Sequence, residues 1–281
     1  MKIFKINLIL LILMGVFSFQ SFGQGIYVGI DGGIGFAACK DELGTDMKTN
    51  ITPPPSNSMA TLYTSRNYSL GQGFSFGIHG GFMLNKYFGI QLGADYLMGA
   101  ATTLTNETDT PGSAVIQTTT LKSSMIRLIP AILIQNGDAK FRTYAVVGLI
   151  VGLAPKVTDD QDSASGASHT TAVLSGGLSW GFHGAVGVKY FFTNKLDIFG
   201  ELTGNYLNWS PGKSVITAST YNGKDNLSTL STSQKEIDFQ SSYTVNNSAT
   251  PTTGSPSQTS QIVLPFSSFG FTIGVQYLFG K

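Results

Sequence analysis

The stretch Phe269-Gly-Phe-Thr-Ile-Gly-Val-Gln-Tyr-Leu-Phe279 decides the fold. Every second residue from Phe269 to Phe279 is large and apolar, and Gly270, Thr272, Gly274 and Gln276 lie between them. A period of two residues is typical of a β-strand with one apolar face. The stretch therefore predicts a strand that places one face in apolar surroundings.

Seven further segments show the same alternation. In each, one face carries large apolar side chains, and the other carries glycine, serine or ionisable residues. The seven are 26–36, 74–84, 88–100, 121–134, 141–153, 174–192 and 196–206. Pro130 lies inside the fourth segment and cannot donate a hydrogen bond to a neighbouring strand, so we expect a bulge or a local break there.

The connections between these segments alternate in length. Three are short and contain turn-forming residues, namely 85–87, 136–140 and 193–195. Four are long and rich in Ser, Thr, Asn and Pro, as solvated loops are, namely 37–73, 101–120, 154–173 and 207–268. Short turns at one end and long loops at the other are typical of bacterial membrane barrels. The sequence therefore predicts an all-β protein, an eight-stranded antiparallel transmembrane β-barrel with short periplasmic turns and long extracellular loops in the cell outer membrane.

Composition excludes several other classes. Charged residues make up only 12% of the chain, against a typical value of about 25%, and the formal net charge is +1. A disordered chain would carry more charge and fewer aromatic residues, and a nucleic-acid-binding protein would show a basic excess. The 34 glycines are unfavourable in helical bundles, and a single Cys excludes a disulfide framework.

The amino-terminus resembles a secretory signal peptide. Lys2 and Lys5 precede an apolar run from Leu8 to Phe17, and Ser21-Phe22-Gly23 offers small residues at a cleavage site. A transmembrane anchor is the alternative, but a spanning helix needs about 20 apolar residues. We expect a signal peptide over 1–23 and the barrel over 24–281. Cys39 lies too far downstream for lipid attachment, and we interpret it as an ordinary residue near a strand end.

Ionisable and polar residues on the inner faces of the segments form the candidate site. The turn at Asn194 places Asp197 and Glu201 diagonal to Lys189, and the turn at Lys86 places Asp95 diagonal to His79. Since buried charges need partners, we expect an internal salt-bridge network that plugs the barrel. A charge-selective pore is the alternative, although side chains just fill an eight-stranded barrel. The predicted interior network comprises Asp31, His79, Asp95, Arg127, Arg142, His183, Lys189, Asp197 and Glu201.

Metal binding, catalysis and cofactor binding find little support. His79 and His183 hold matching places in two similar stretches, 73–80 and 177–184, but no further His or Cys completes a metal site. Ser179 and His183 lie four residues apart on one strand, too far for the direct contact that an acyl-hydrolysing enzyme requires. Glycine strings near Gly29 lie inside a strand with no following helix, so they do not form a dinucleotide site. We expect no metal, no cofactor and no catalytic residue.

Aromatic residues cluster near both ends of the predicted strands. Those near the short turns are Tyr87, Phe88, Phe141, Tyr190, Phe192, Tyr277 and Phe279, and those near the long loops are Tyr68, Trp180, Tyr206, Trp209 and Phe266. Two such girdles are expected at the two membrane interfaces. The longest connection, 207–268, is either a disordered solvated shield or a binding element that orders on a partner. The loop with Pro53-Pro54-Pro55 could share that contact.

Three stretches carry a resemblance to a known family. Ile126 to Ile134, Val186 to Leu202 and the closing Phe271 to Phe279 resemble the small outer-membrane β-barrel proteins abundant in Bacteroidota, of the OmpA and OmpX type. The last stretch resembles the signal that barrel-assembly machinery recognises, although Gly280 and Lys281 follow the final aromatic residue. The resemblance implies an outer-membrane barrel and little about activity, because a fold does not fix function.

We expect a non-enzymatic protein with a structural or surface-interaction role, for example as an accessory subunit of an outer-membrane complex. A narrow porin-like channel for ions or small solutes is the alternative, and a lipid-modifying enzyme is a third. The expected partners are outer-membrane lipids, the assembly machinery at the carboxy-terminal strand and a protein at the extracellular loops, but no nucleic acid.

Overall fold

A computed structural model describes residues 25–38, 40–51, 59–110, 113–137, 139–163, 167–243 and 254–279. The predicted signal peptide, Cys39 and Pro53 to Pro55 lie outside the described residues. The strands before the two-residue turn at 222–223 are β1 (Ile26–Ala37), β2 (Lys40–Ile51), β3 (Met59–Asn67), β4 (Gly73–Met83), β5 (Phe88–Gly99), β6 (Thr102–Thr110), β7 (Ser113–Gln135), β8 (Phe141–Ser163), β9 (Ser168–Ser175), β10 (Ser179–Phe191), β11 (Leu196–Trp209) and β12 (Lys213–Tyr221).

The remaining elements are shorter, except for the last strand. They are β13 (Lys224–Asp225), a 3₁₀ helix (Leu227–Thr229), the single-turn helix α1 (Thr232–Lys235), β14 (Glu236–Gln240), β15 (Ser257–Ser260), β16 (Leu264–Pro265) and β17 (Ser268–Phe279). Within the described part of the chain, no helix is long and apolar enough to cross a membrane.

Eight of the described strands close into an antiparallel ring in the order β1–β4–β5–β7–β8–β10–β11–β17, and β17 returns to β1. They correspond to the eight segments predicted from the sequence. The closing pair runs in register from Ile26 opposite Phe279 to Ala37 opposite Ser268. A closed ring leaves no unpaired strand edge, which is what a sheet in lipid requires.

The two faces of the ring differ as the alternation predicts. Ile30, Phe76, Val147 and Ile273 are among the outward side chains, and they are exposed. Tyr27, Leu133, Val146 and Phe199 are among the inward side chains, and they are buried. The apolar outer wall therefore faces lipid, while the lumen is packed with side chains.

Short turns join the ring strands at one end, which we call the turn end. The Asn85 side-chain oxygen accepts hydrogen bonds from the backbone N–H groups of Tyr87 and Phe88, at 2.8 and 2.9 Å. The Thr193 hydroxyl accepts from the N–H groups of Lys195 and Leu196, at 3.2 and 3.0 Å. These contacts fix the registers of β4 with β5 and of β10 with β11.

At the other end a second sheet extends beyond the ring. β7 and β8 are each 23 residues long, and they stay paired from Gln135 opposite Tyr144 to Gln117 opposite Ser163. Their distal parts join β2, β3, β6, β9 and β12 to β15 in the order β3–β2–β6–β7–β8–β9–β12–β14–β15. We call this sheet the projection.

The projection corrects the interpretation of the long connections as solvated loops. The described part of segment 207–268 contains β12 to β16, so much of it is sheet and not solvated loop. Threonine favours strands because its branched side chain fits a pleated surface. The strands of the projection are rich in Thr and Ser, and in most of them the apolar residues do not fall at every second position, so its sequence lacks the alternation that reveals a strand.

Of two local predictions, one agrees with the structure and one needs correction. The pairing of β7 with β8 keeps one register from Leu128 opposite Val151 to Ala131 opposite Gly148, but Ile129 and Pro130 have no partner on β8, so the break expected at Pro130 is present without a bulge. A shift of register lies further along, between Ser124 and Ile126, close to Ala154, whose φ is 47°. The sixth segment is interrupted at Gly176 and Gly177, whose φ values are 79° and 77°, so β10 begins only at Ser179.

A third correction concerns the aromatic residues near the loop end. Trp180 and Tyr206 face outward, as an interfacial girdle requires, but Tyr68, Trp209 and Phe266 are fully buried. These three belong to a cap over the ring, formed by residues 68–71 and 264–267 together with Trp209. Alternation assigns faces only within a strand, and Tyr68 and Phe266 lie outside the ring strands.

Candidate functional site

All nine residues of the predicted network lie on the lumen face of the ring. Eight of them fall into three groups of neighbouring side chains, and His183 has a partner outside these groups. Asp95 of β5 and Arg127 of β7 are direct cross-strand neighbours. The Arg127 Nε donates to Asp95 Oδ1 at 2.7 Å, and an outer guanidinium nitrogen donates to Oδ2 at 3.1 Å. Such a two-point contact is among the stronger ion pairs in proteins.

The second group surrounds His79. The predicted diagonal placement of Asp95 is present in the register, but His79 Nδ1 lies 2.9 Å from Asp31 Oδ2 on β1 instead. Opposite His79 on β1 is Gly29, where any side chain would overlap the imidazole ring. The ring also packs edge-on against Phe199, with 5.2 Å between centroids. Glycine thus makes room for a histidine that Asp31 orients.

The third group fills the lumen near the turn end. Lys189 lies diagonal to Asp197 and Glu201 as predicted, yet it forms no ion pair with either acid in the described part of the chain. Its Nζ lies 4.5 Å from the centroid of the Tyr144 ring and 5.8 Å from that of Tyr27. Diagonal placement alone does not bring the charged atoms together, because Tyr144 lies between them and donates to Glu201 at 2.7 Å.

Asp197 is the most unusual member of this turn-end layer. It is 0% exposed, and neither carboxylate oxygen has a hydrogen-bond partner among the described residues. Arg142 lies nearby at the turns, where its Nε donates to the carbonyl of Ala139 at 2.8 Å and its guanidinium stacks on Phe191. Lys189, Arg142 and the tyrosines together close the lumen at this level.

The geometry offers little for chemistry. His183 Nδ1 lies 2.8 Å from the side-chain oxygen of Asn205, and the Ser179 hydroxyl donates to the backbone carbonyl of Asn208 at 2.8 Å. Ser179 and His183 therefore have separate partners. In the part of the chain that the structure describes, no three His, Cys, Asp or Glu residues are grouped as a metal site would need.

Between the turn-end layer and the cap the lumen contains a polar cavity. Its volume is about 70 Å³, and Asp31, His79, Arg127, His183 and Glu201 line it. A polar cavity of this volume has room for several waters.

The cap closes the lumen at the loop end. The backbone N–H of Leu70 donates to the carbonyl of Pro265 at 2.9 Å, and the Ser69 hydroxyl donates to the carbonyl of Ser267 at 2.6 Å. The Ser123 hydroxyl of β7 donates to the carbonyl of Leu70 at 2.6 Å. A side chain at position 71 would overlap the Phe266 carbonyl, so Gly71 allows the two cap segments to touch. Sequence reasoning missed the cap because its residues follow no periodic pattern.

The projection carries its own polar and apolar contacts. Lys48 donates to Glu107 at 2.9 Å across β2 and β6, and this contact raises the pKa of Lys48. Burial raises the pKa of Asp159 on β8. Met59, Leu62 and Tyr63 of β3 are strongly exposed.

A closed ring with an apolar outer wall and a filled polar lumen defines an integral β-barrel membrane protein. The family model described as "outer membrane protein beta-barrel domain" matches residues 9–233. The chain belongs to this family and is an outer-membrane protein.

Solved structures of two bacterial proteins show low similarity. The chain is 11% identical to the outer membrane protein OprG from Pseudomonas aeruginosa, covering 93% of this chain and 99% of that chain, with a TM-score of 0.41. It is 14% identical to Neisserial surface protein A (NspA), covering 92% and 99%, with a TM-score of 0.33. No curated protein sequence matches the chain significantly. The family assignment therefore rests on the family model.

Proposed function

We propose that the barrel is a closed, non-enzymatic membrane anchor, and that the projection is a cell-surface platform for a protein partner. The observation that carries the proposal is the continuity of β7 and β8, each of which continues from the ring into the projection with one shift of register between them. Two 23-residue strands thus connect the projection directly to the wall. A barrel that served only as a wall would not need them.

The filled lumen supports the anchor role over a channel. The turn-end layer and the cap lie on either side of the small cavity, and their side chains are buried. The proposal places the turns in the periplasm and the projection outside the cell, as the lengths of the connections favour. A signal peptide removed after Gly23, a Bacteroidota origin and recognition of β17 by the assembly machinery belong to the same proposal.

Two trimmed variants test the platform role. In one, a short Gly-Ser linker replaces 214–261, which removes β12 to β15 from one edge of the projection while the cap segment 264–267 stays. In the matched variant, the same linker replaces 41–66 and removes β2 and β3 from the opposite edge. A tag in the turn 193–195 allows recovery from solubilised outer membranes, and heat-modifiable migration reports folding.

We expect both variants to fold, and at least one to lose a protein that co-purifies with the wild type. The edge whose removal causes the loss is the binding edge. If both trimmed barrels recover the same partners in full, the platform role is wrong, and the barrel wall or the turns carry the interaction.

A further inference from the structure

A groove crosses the outer wall of the barrel obliquely, from β8 to β1. Its floor is a row of successive cross-strand neighbours on the outward face, namely Thr143, Val188, Gly200, Ile273 and Gly32. Three of these five residues are small, so the row is lower than its neighbours at Thr143, Gly200 and Gly32, while Ile273 stands between the two glycines and is 71% exposed. We call it the outer groove.

Larger side chains form both walls of the outer groove. On the loop-end side, Val186, Leu202 and Phe271 are consecutive cross-strand neighbours, and on the turn-end side Tyr190, Ile198 and Val275 are. Two shallow, open concavities of about 830 and 510 Å³ lie along the floor on either side of Ile273, which lines both. Both are lined mainly by apolar outward side chains, in the part of the wall that faces lipid.

The length of the outer groove suits a single acyl chain. Thr143 and Gly32 are four strand spacings apart, which corresponds to about 19 Å at roughly 4.8 Å per spacing. One leaflet of the hydrocarbon core is about 15 Å deep, half of the ~30 Å total. The groove can therefore hold most of a fatty acyl chain lying obliquely against the wall.

The β8 end of the outer groove carries positive charge. Lys140, in the turn before β8, places its Nζ 5.1 Å from the centroid of the Tyr190 ring, and Tyr190 is the wall residue at that end. The exposed Asn136 lines the same end. An ammonium group beside an apolar groove at a membrane interface complements an anionic headgroup whose chain enters the groove.

We propose that the outer groove is a binding site for one anionic glycerophospholipid, with an acyl chain along the floor and the phosphate beside Lys140. An extended hydrocarbon chain fits an oblique channel one row wide, whereas the lysine selects the charge of the headgroup. The site does not depend on the surface role proposed above, since it uses only the wall and one turn.

The test measures phospholipid retained by the full chain in detergent, using native mass spectrometry. The probes are phosphatidylglycerol and phosphatidylcholine with identical acyl chains. We expect the wild type to retain one phosphatidylglycerol about fivefold more than phosphatidylcholine, the preference that a single lysine gives near a membrane surface.

Two pairs of variants separate the groove from the charge. Gly200→Leu fills the floor, and Gly204→Leu is its control, an outward glycine on the same strand outside the groove; an added Cβ meets nothing closer than 4.0 Å at either position. Lys140→Gln removes the charge, and Lys86→Gln is its control, because Lys86 lies over Tyr87 at 4.9 Å in another turn. Heat-modifiable migration confirms that all four fold.

We expect Gly200→Leu to lose both lipids and Lys140→Gln to lose only the preference for phosphatidylglycerol, with both controls unchanged. Equal retention by Gly200→Leu and Gly204→Leu would overturn the groove as the site. An undiminished preference in Lys140→Gln would overturn the role of Lys140. A dimer that Gly200→Leu abolishes would assign the groove to a second copy of the chain instead.

Discussion

Arg127 of β7 donates two hydrogen bonds to the carboxylate of Asp95 on the neighbouring strand β5, and both side chains are largely buried in the lumen. The chain between β5 and β7 is long and contains β6, so no tight turn sets how β5 and β7 align. The ion pair between Arg127 and Asp95 therefore helps to fix the register of β7 against β5.

Replacing Arg127 with Met should destabilise the barrel by about 3–5 kcal/mol, because Asp95 is left charged and buried. A wet cavity beside the pair would reduce this cost. The measurement is urea unfolding in detergent micelles, followed by heat-modifiable migration. The double variant Arg127→Met/Asp95→Asn should recover part of the loss. As a control, Lys48→Met breaks the exposed pair with Glu107 and should leave the unfolding midpoint unchanged.

The wild-type barrel should show negligible conductance in planar bilayers, because the lumen is closed at two levels. Phe266→Ala loosens the cap alone and Lys189→Ala loosens the turn-end layer alone. Because the other level stays closed in each variant, neither should conduct ions. Only the double variant should pass ions, in small and unstable steps. A large, stable single-channel current from the wild type would refute the closed lumen.

An epitope inserted at Asn222 should bind antibody on intact cells, and one inserted at Asn194 should not. Asn222 lies in the exposed turn between β12 and β13, with a φ of 49°, so an insertion there disturbs no ring strand. Asn194 lies at the turn end. Permeabilised cells provide the control, since both epitopes should then be detected. Labelling at Asn194 alone would reverse the orientation.

Asp159→Asn should stabilise the projection at neutral pH. Burial raises the pKa of this carboxyl group above its unfolded value, and its Oδ1 has no hydrogen-bond partner among the described residues. The folded state therefore binds the proton more tightly, so stability falls as pH rises from the unfolded pKa through the raised folded pKa. Above both values the buried charge carries its full penalty, which asparagine lacks.

Hydrogen exchange of the β8 and β9 peptides, corrected for intrinsic rates, measures this effect. The variant should exchange more slowly than the wild type at pH 7.5, and the difference should disappear in acid. Asp162→Asn is the matched control, because the Asp162 carboxylate is exposed and contacts His169 at 2.7 Å. Slower exchange in the control as well would contradict the explanation by burial.

The ring could be predicted from sequence because lipid imposes a rule on every second residue. The inward positions of Lys189 and Asp197 follow directly from that rule and from a three-residue turn. The contact of Asp95 with Arg127 could not be predicted, because a long connection separates their strands and leaves the register open. The partner of His79 was missed for the same reason, since β1 and β4 are also joined by a long connection.

The projection and the cap escaped prediction on different physical grounds. Strands such as β9 and β12 are rich in Ser and Thr, and their large aliphatic residues are adjacent in sequence, so no hydrophobic period marks them. Tyr68 and Phe266 are buried by two irregular segments that meet only in the folded chain. Their aromatic side chains correctly indicated an apolar environment. Aromatic residues are common both at membrane interfaces and in protein interiors, so the sequence did not show which of the two surrounds them.

The ring closes only when β17 pairs with β1. Among the ring strands β17 comes last along the chain, and its partner β1 comes first. A ring without β17 would present two unpaired strand edges to hydrocarbon, where each unsatisfied backbone group costs several kcal/mol. The wall therefore becomes stable in lipid only when the chain has been made as far as β17.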